Sequence, residues 1–279
     1  MENRINYIIA THAGVSKSRE QYDNDSNSVL QRHMSILCDI LKTTTKITQV
    51  TIVKPHIPSA KAVYSDYYDI GQSVSDIEKQ GIKVVQLSPQ YEFGSSYSQY
   101  LHAYTQFRDF DYYIVMEDDW VPFPQHRGFD QTLIDEYKKV GSTGFLSSWC
   151  NIHPQHGWHS AISVGIIGND SLCKAQRLAG DSLCLSQSAF SDLFENNDYS
   201  SNGKKFMIPF WETTHGCIYE YAEHLSSKYL LVPIQFLYPC YPYVLPNSTS
   251  AFSTVPSKEL VEWVSCDLAH IRKISQPSN

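Results

Sequence analysis

Apolar residues along this chain fall into short unbroken runs separated by stretches with helical spacing. Residues 6–10 (Asn-Tyr-Ile-Ile-Ala), 47–53 (Ile-Thr-Gln-Val-Thr-Ile-Val), 82–87 (Ile-Lys-Val-Val-Gln-Leu) and 112–116 (Tyr-Tyr-Ile-Val-Met) predict strands. The last carries no charge and reads as buried on both faces. Between them, Leu30, Met34, Leu37 and Leu41, spaced 4, 3 and 4, predict a helix with Asn27 as its N-cap. A short helix is expected to end at Gly81. Ser96 and Gln99 form a capping-box pattern opening a helix through Tyr97, Tyr100, Leu101, Tyr104 and Phe107. Strand and helix alternating in this way predict parallel strands joined by right-handed crossovers, with the strand C-termini on one edge.

Beyond Trp120 the pattern is less regular. Asp130 is placed as the N-cap of a helix ending at Gly141, with Phe129 and Ile134 as a hydrophobic staple. Residues 144–150 read as a strand, 151–160 as a loop, and 161–168 as a strand flowing into a helix over 169–178. Residues 188–195 predict a short helix and 196–205, almost wholly Asn, Asp, Ser, Gly and Lys, a mobile loop. An apolar run over 206–211 then leads to Glu212 at the start of an amphipathic helix through Ile218, Ala222 and Leu225. Residues 229–244 are aromatic and β-rich, and Leu260, Trp263, Val264, Leu268 and Ile271 mark a closing helix. The expected fold is a single α/β, Rossmann-like domain. Its mostly parallel central sheet is flanked by helices, and a C-terminal helical and aromatic extension follows.

Candidate chemistry gathers at two strand ends. The strand over 112–116 runs directly into Glu117-Asp118-Asp119-Trp120. Alternation along a strand places Glu117 and Asp119 on one face and Asp118 on the other. Like charges that close repel, so a divalent cation with oxygen ligands, itself held by a phosphate, is the simplest reason for them to stand together. An acidic exit into solvent is the plainer alternative. The first strand opens at Ala10 into Thr11-His12-Ala13-Gly14, a small-residue loop where a parallel sheet receives a ligand. Sheet order brings that loop to the edge that carries Glu117.

Composition narrows the partners. The chain has 279 residues, with 22 Lys and Arg against 29 Asp and Glu and a formal net charge of -7. It has no dense basic cluster of the kind that grips nucleic acid. The seven cysteines include no C-x-x-C pair and read as reduced core thiols. No segment has the 18 uninterrupted apolar residues of a membrane span and no apolar leader opens the chain, so the expectation is a cytoplasmic protein. His153, His156 and His159 invite a zinc reading, but Pro154 and Gly157 break any helix that would align them. A polar acceptor-binding loop with Trp158 as stacking platform suits that stretch better.

The order of parts resembles the nucleotide-sugar-dependent glycosyltransferases of the GT-A fold, family-2-like. The resemblance is carried mainly by Glu117-Asp118-Asp119 after Tyr-Tyr-Ile-Val-Met, in the place of the family's D-x-D triplet. The small-residue loop after the first strand, the Gly94-led helix running into the acidic strand, and Glu212 after Trp211 correspond as well. The match covers roughly residues 6–225. One departure stands out: many members place an acidic residue after the second strand to hold the base, whereas this chain has Lys54-Pro55-His56. Base recognition therefore does not carry over.

The resemblance implies a donor-binding half over 1–120, an acceptor-binding and catalytic half over 121–228, and an extension over 229–279. Asp119 and Glu117 are expected to hold Mn2+ or Mg2+, which suit hard oxygen ligands. Ala10, Thr11, His12, Ala13 and Asp118 are expected at the nucleotide, Asp118 as a ribose or structural contact. Glu212 is the candidate base for a glycan or other hydroxyl acceptor, with His215 as its substitute or a phosphate contact. Trp149, Trp158 and Trp211 are candidate acceptor platforms. Two other readings stay open: a sugar nucleotidyltransferase, for which a loop with one glycine and Lys17 is weak support, and a non-catalytic carbohydrate-binding protein.

Overall fold

The computed structural model describes residues 3–11, 29–54, 68–88, 96–122, 124, 127–139, 142, 145–147, 150–153, 157–160, 164–179 and 231–233. The chain begins with β1 (Ile5–Ala10), α1 (Val29–Leu41), β2 (Ile47–Val53), α2 (Gly71–Glu78), β3 (Lys83–Leu87), α3 (Ser96–Gln106) and β4 (Tyr112–Glu117). It continues with β5 (Trp120–Pro122), α4 (Phe129–Lys139), β6 (Phe145–Ser147), β7 (Cys150–His153), β8 (Gly157–Ser160), β9 (Gly165–Gly168), α5 (Asn169–Ala179) and β10 (Leu231–Pro233). Six strands form one sheet in the order β3-β2-β1-β4-β9-β6. The pairs β1–β2, β2–β3 and β1–β4 are parallel, while β9 lies antiparallel to both β4 and β6. The fold is α/β and Rossmann-like with a mostly parallel sheet, as the alternation of apolar runs and helical spacing predicts.

Both faces of the sheet are covered. Ile5, Tyr7 and Ile9 of β1, Val50 and Ile52 of β2, and Ile114 and Met116 of β4 pack into one core with Leu30, Met34 and Leu37 of α1 and Phe129, Leu133 and Ile134 of α4. Ile8 and Ala10, Val53, and Tyr113 and Val115 face the opposite core, where Tyr100, Leu101 and Tyr104 of α3 and Leu172 of α5 meet them. Period-two strand alternation therefore sorts each strand between two helical layers, and burial of such side chains contributes about 1.5–3 kcal/mol each. Every residue of β1 is buried, in keeping with a central parallel strand.

Several local expectations are corrected. The strand expected over 144–150 is two strands in different sheets, β6 in the main sheet and β7 outside it. The loop expected over 151–160 is a hairpin in which β7 pairs with β8, Ile152 opposite Trp158 and Asn151 opposite His159. Alternation of apolar and polar residues over only four positions is too short to stand out in sequence. Within 161–168 the described strand is Gly165–Gly168, and it runs antiparallel to β4. The short helix stops at Glu78, and Gly81 follows at φ 82, the left-handed conformation a glycine adopts without strain.

Asp130 is not an N-cap. The helix begins one residue earlier, and the buried Asp130 carboxylate accepts from the Thr45 hydroxyl at 2.7 Å and the Lys46 N–H at 2.5 Å, tying α4 to the entry of β2. Phe129 and Ile134 do share one core. The aromatic stretch 229–244 contains β10, which pairs antiparallel with β5, Val232 opposite Val121. The predicted helices over 188–195 and after Glu212, the loop over 196–205 and the closing helix lie outside the described residues. Among the described residues no helix is long and apolar enough to cross a membrane.

Candidate functional site

From β1 the chain builds outward through β2 to β3, then returns to add β4 on the other side of β1. The order thus reverses between β1 and β4. Helical connections leave such a pair on opposite faces, which opens a crevice beyond the carboxyl ends of the two strands. The register is explicit: Ala10 stands opposite Glu117, and the Asp118 N–H donates to the Ala10 carbonyl at 3.0 Å. Thr11 and the acidic triplet therefore share the crevice. Sheet order joins here what the sequence separates by more than a hundred residues.

The triplet is split across the sheet. Glu117 ends β4 on the α3 side, where the Ser96 hydroxyl donates to its Oε1 at 2.8 Å. Asp118 is fully buried towards α1: its carbonyl meets His33 Nδ1 at 3.0 Å, and its charge adds to the burial that raises the pKa of Tyr68. A buried position of this kind suits the structural half of the role expected for Asp118. Strand geometry stops at Glu117, so alternation does not govern Asp119, which lies in the turn leading to β5. The Asp119 Oδ1 is buried and accepts no hydrogen bond, although the carboxylate has interactions of its own.

The β1 end is held by groups from three other segments, two side chains and one main-chain carbonyl. Gln99 of α3 brackets Thr11, accepting from its N–H at 3.0 Å and donating to its carbonyl at 3.1 Å. The Thr11 hydroxyl donates to the Val53 carbonyl at 2.8 Å and lies 2.7 Å from the Tyr68 hydroxyl, which donates in turn. The capping box expected of Ser96 and Gln99 is thus not made. Both side chains leave their own helix to hold the two strand ends of the crevice. Gln99→Met, which keeps the volume and removes both bonds, should lower unfolding stability by about 2 kcal/mol: it strands the buried Thr11 carbonyl and leaves the Thr11 N–H only its longer bond to the Val53 carbonyl at 3.3 Å. Urea denaturation checks this, and an unchanged midpoint would rule the bracket out.

Lys54 is the residue whose place the sequence did not disclose. It follows β2, its N–H donates to the Leu87 carbonyl at 2.9 Å, and its ammonium lies 4.4 Å from the centre of the Tyr68 ring. Burial lowers its pKa. The hydroxyl chain from Tyr68 through Thr11 fixes the ring, and the ring carries the cation. A positive charge therefore stands at the end of β2, two strands from the carboxylates with β1 between them. Its only sequence signal was the Lys54-Pro55-His56 departure.

Of the other expected site residues, Ala10 closes β1 and is buried, and Trp158 lies on β8. His12, Ala13, Trp149, Trp211, Glu212 and His215 lie outside the described residues. Among the described residues no three His, Cys, Asp or Glu side chains form a metal cage. At the end of β4 stand Glu117 and, in the turn after it, Asp119, both of which offer hard carboxylate oxygens. Mg2+ and Mn2+ suit such donors when substrate phosphates and water complete the shell, so the residues present fit that group.

No family model matches the chain, and no curated protein matches it. Three solved structures show a distant likeness. One is a UDP-glucose pyrophosphorylase complexed with UDP-glucose, at 10% identity and TM-score 0.40, covering 63% of this chain and 80% of that one. A UTP-bound UGPase from Acinetobacter baumannii gives 11% and 0.38, covering 80% and 98%. A protein named as a glucose-1-phosphate thymidylyltransferase, from Bacillus anthracis, gives 10% and 0.38, covering 70% and 84%. At these values neither fold nor function follows from the likeness; the fold rests on strand order and register, and the site on the residues at the β1–β4 edge.

Proposed function

We propose that this chain is a transferase that binds a nucleoside diphosphate sugar across the carboxyl ends of β1 and β4 and passes the sugar to a hydroxyl acceptor. One observation carries the reading: the strand order reverses between β1 and β4, and at that reversal the register sets Glu117 opposite Ala10 while the Asp118 N–H bonds to the Ala10 carbonyl. Asp119 and Glu117 would hold Mg2+ or Mn2+, which when bound offsets the negative charge that gathers on a leaving diphosphate. Thr11 and Lys54 flank the same edge, Lys54 offering a partly desolvated ammonium to phosphate oxygens. Glu212 is the proposed base, from its place after an apolar run at a predicted helix start, and Trp149, Trp158 and Trp211 the proposed acceptor platforms. A cytoplasmic setting is part of the same reading.

Nucleotidyl transfer is the second reading, and it is the chemistry named in two of the solved structures above. Its expected mark, a long Gly-rich basic loop after β1, is weak in Thr11-His12-Ala13-Gly14-Val15-Ser16-Lys17. Product analysis separates the two. Incubation with UDP- and GDP-sugars, Mn2+ and a hydroxyl acceptor should release nucleoside diphosphate, whereas nucleoside triphosphate formed on adding pyrophosphate would select nucleotidyl transfer. In the same assay Lys54→Ala should weaken donor binding roughly 10-fold by removing a charge-assisted phosphate contact. Glu212→Gln should retain binding and lose turnover, and normal turnover would remove Glu212 from the base role. Calorimetry showing no nucleotide binding with or without Mn2+ would sink the whole reading.

A further inference from the structure

Beneath the acidic turn lies a buried pair that neither the sequence pattern nor the proposed chemistry uses. His33 of α1 and Tyr7 of β1 are both 0% exposed. His33 Nδ1 is 3.0 Å from the Asp118 carbonyl oxygen, and His33 Nε2 is 2.9 Å from the Tyr7 hydroxyl. A carbonyl only accepts, so Nδ1 must carry a proton. In a neutral ring Nε2 then accepts, and the Tyr7 hydroxyl must donate. The relay has one direction: Tyr7 to His33, His33 to the Asp118 carbonyl.

Buried polar rings cost stability unless each polar atom is bonded, and an apolar residue at either position would fill the same core more cheaply. What the pair accomplishes is control of main chain. The Asp118 carbonyl belongs to the peptide that joins Asp118 to Asp119. The Asp118 N–H, on the preceding peptide, is already bonded to the Ala10 carbonyl at 3.0 Å. Both peptide planes around Asp118 are thereby pinned, one by β1 and one by His33, and the direction in which Asp119 leaves the turn is set.

We propose that His33, oriented by Tyr7, is a positioning residue that sets the direction of Asp119, which would hold a divalent cation at the nucleotide site. The role rests on the proposed nucleotide site, acts through the Asp118–Asp119 peptide and involves no contact with ligand.

Two measurements on the full chain test it. Nitrogen-15 histidine spectra at neutral pH, with His33 assigned by its loss in His33→Asn, should show Nδ1 protonated and Nε2 bare. The opposite tautomer or a doubly protonated ring would overturn the relay. Calorimetry with Mn2+ and UDP or GDP should then show Tyr7→Phe and His33→Phe weakening metal-dependent binding roughly 10-fold, the scale of groups that orient metal ligands. His33→Asn, whose amide can replace the Nδ1 donor, should recover most of it. Unchanged binding in Tyr7→Phe and His33→Phe, or His33→Asn as weak as His33→Phe at equal Tm, would reduce the pair to a packing role. A wild-type chain that binds no nucleotide with Mn2+ would overturn the site itself and this role with it, whichever tautomer the spectra show.

Discussion

Asp119→Asn is expected to weaken Mn2+-dependent binding of UDP or GDP on the order of 100-fold or more, while Tm moves by only a few degrees. Groups that merely orient a metal ligand are worth roughly 10–100-fold, so a ligand itself should cost at least the upper end. Asn keeps the shape of the side chain in a turn where Oδ1 is buried, so the loss would report charge rather than packing. The fold should tolerate the change because the residue lies past the end of β4, outside the sheet register that joins β4 to β1 and β9. Calorimetric titration with Mn2+ and nucleotide, beside a thermal melt, gives both readings. Binding retained within a few-fold would remove Asp119 as a ligand.

The second large effect is on stability in acid. Burial lowers the pKa of His33 from 6.5 to about 4, against the smaller opposing pull of its bond to Asp118 and the Asp118 charge. The unfolded chain therefore takes up this proton first as pH falls. The neutral ring's contribution is fully present above about pH 6.5, drains as pH drops towards 4 and is flat below, a difference that corresponds to roughly 3 kcal/mol. Of the groups facing the ring, Asp118 favours protonation and Tyr7 stays neutral because burial raises its pKa. The Phe129 ring packed on Tyr7 adds no charge. Urea unfolding at pH 7 and pH 4.5 should show a steeper loss in the wild-type chain than in His33→Asn. Parallel losses in the two would mean that His33 is not buried neutral.

How much of this was legible beforehand follows from the range of each interaction. Leu30, Met34, Leu37 and Leu41 announced α1, and all are buried, because helical spacing is set by residues within two turns. The strands at 47–53 and 112–116 were equally plain, since an uncharged β-branched and aromatic run has few other places to go. The capping box at Ser96 and Gln99 and the N-cap at Asp130 misled for a shared reason. Each side chain satisfies a local pattern, yet a distant partner takes it instead: Glu117, Thr11, and the Thr45–Lys46 segment. The short strands β7 and β8 left no sequence mark, because pairing across the hairpin rather than periodicity makes them strands.

By itself the sequence determined the alternation of strands and helices, the two-sided burial of the central strands, and an acidic triplet at the end of one of them. All of these are properties of neighbouring residues, decided by backbone geometry and the removal of apolar surface from water. Only the tertiary structure decided that β4 returns beside β1, so that Ala10 meets Glu117, and that β9 enters the sheet reversed. It alone brought His33 and Tyr7 beneath the Asp118 carbonyl and Lys54 onto the Tyr68 ring. The two His33 contacts join residues 26 and 85 positions apart, and Lys54 meets a ring from the segment that leads into α2. Their partners are chosen by the packing of whole layers, and no local pattern of side chains encodes that choice.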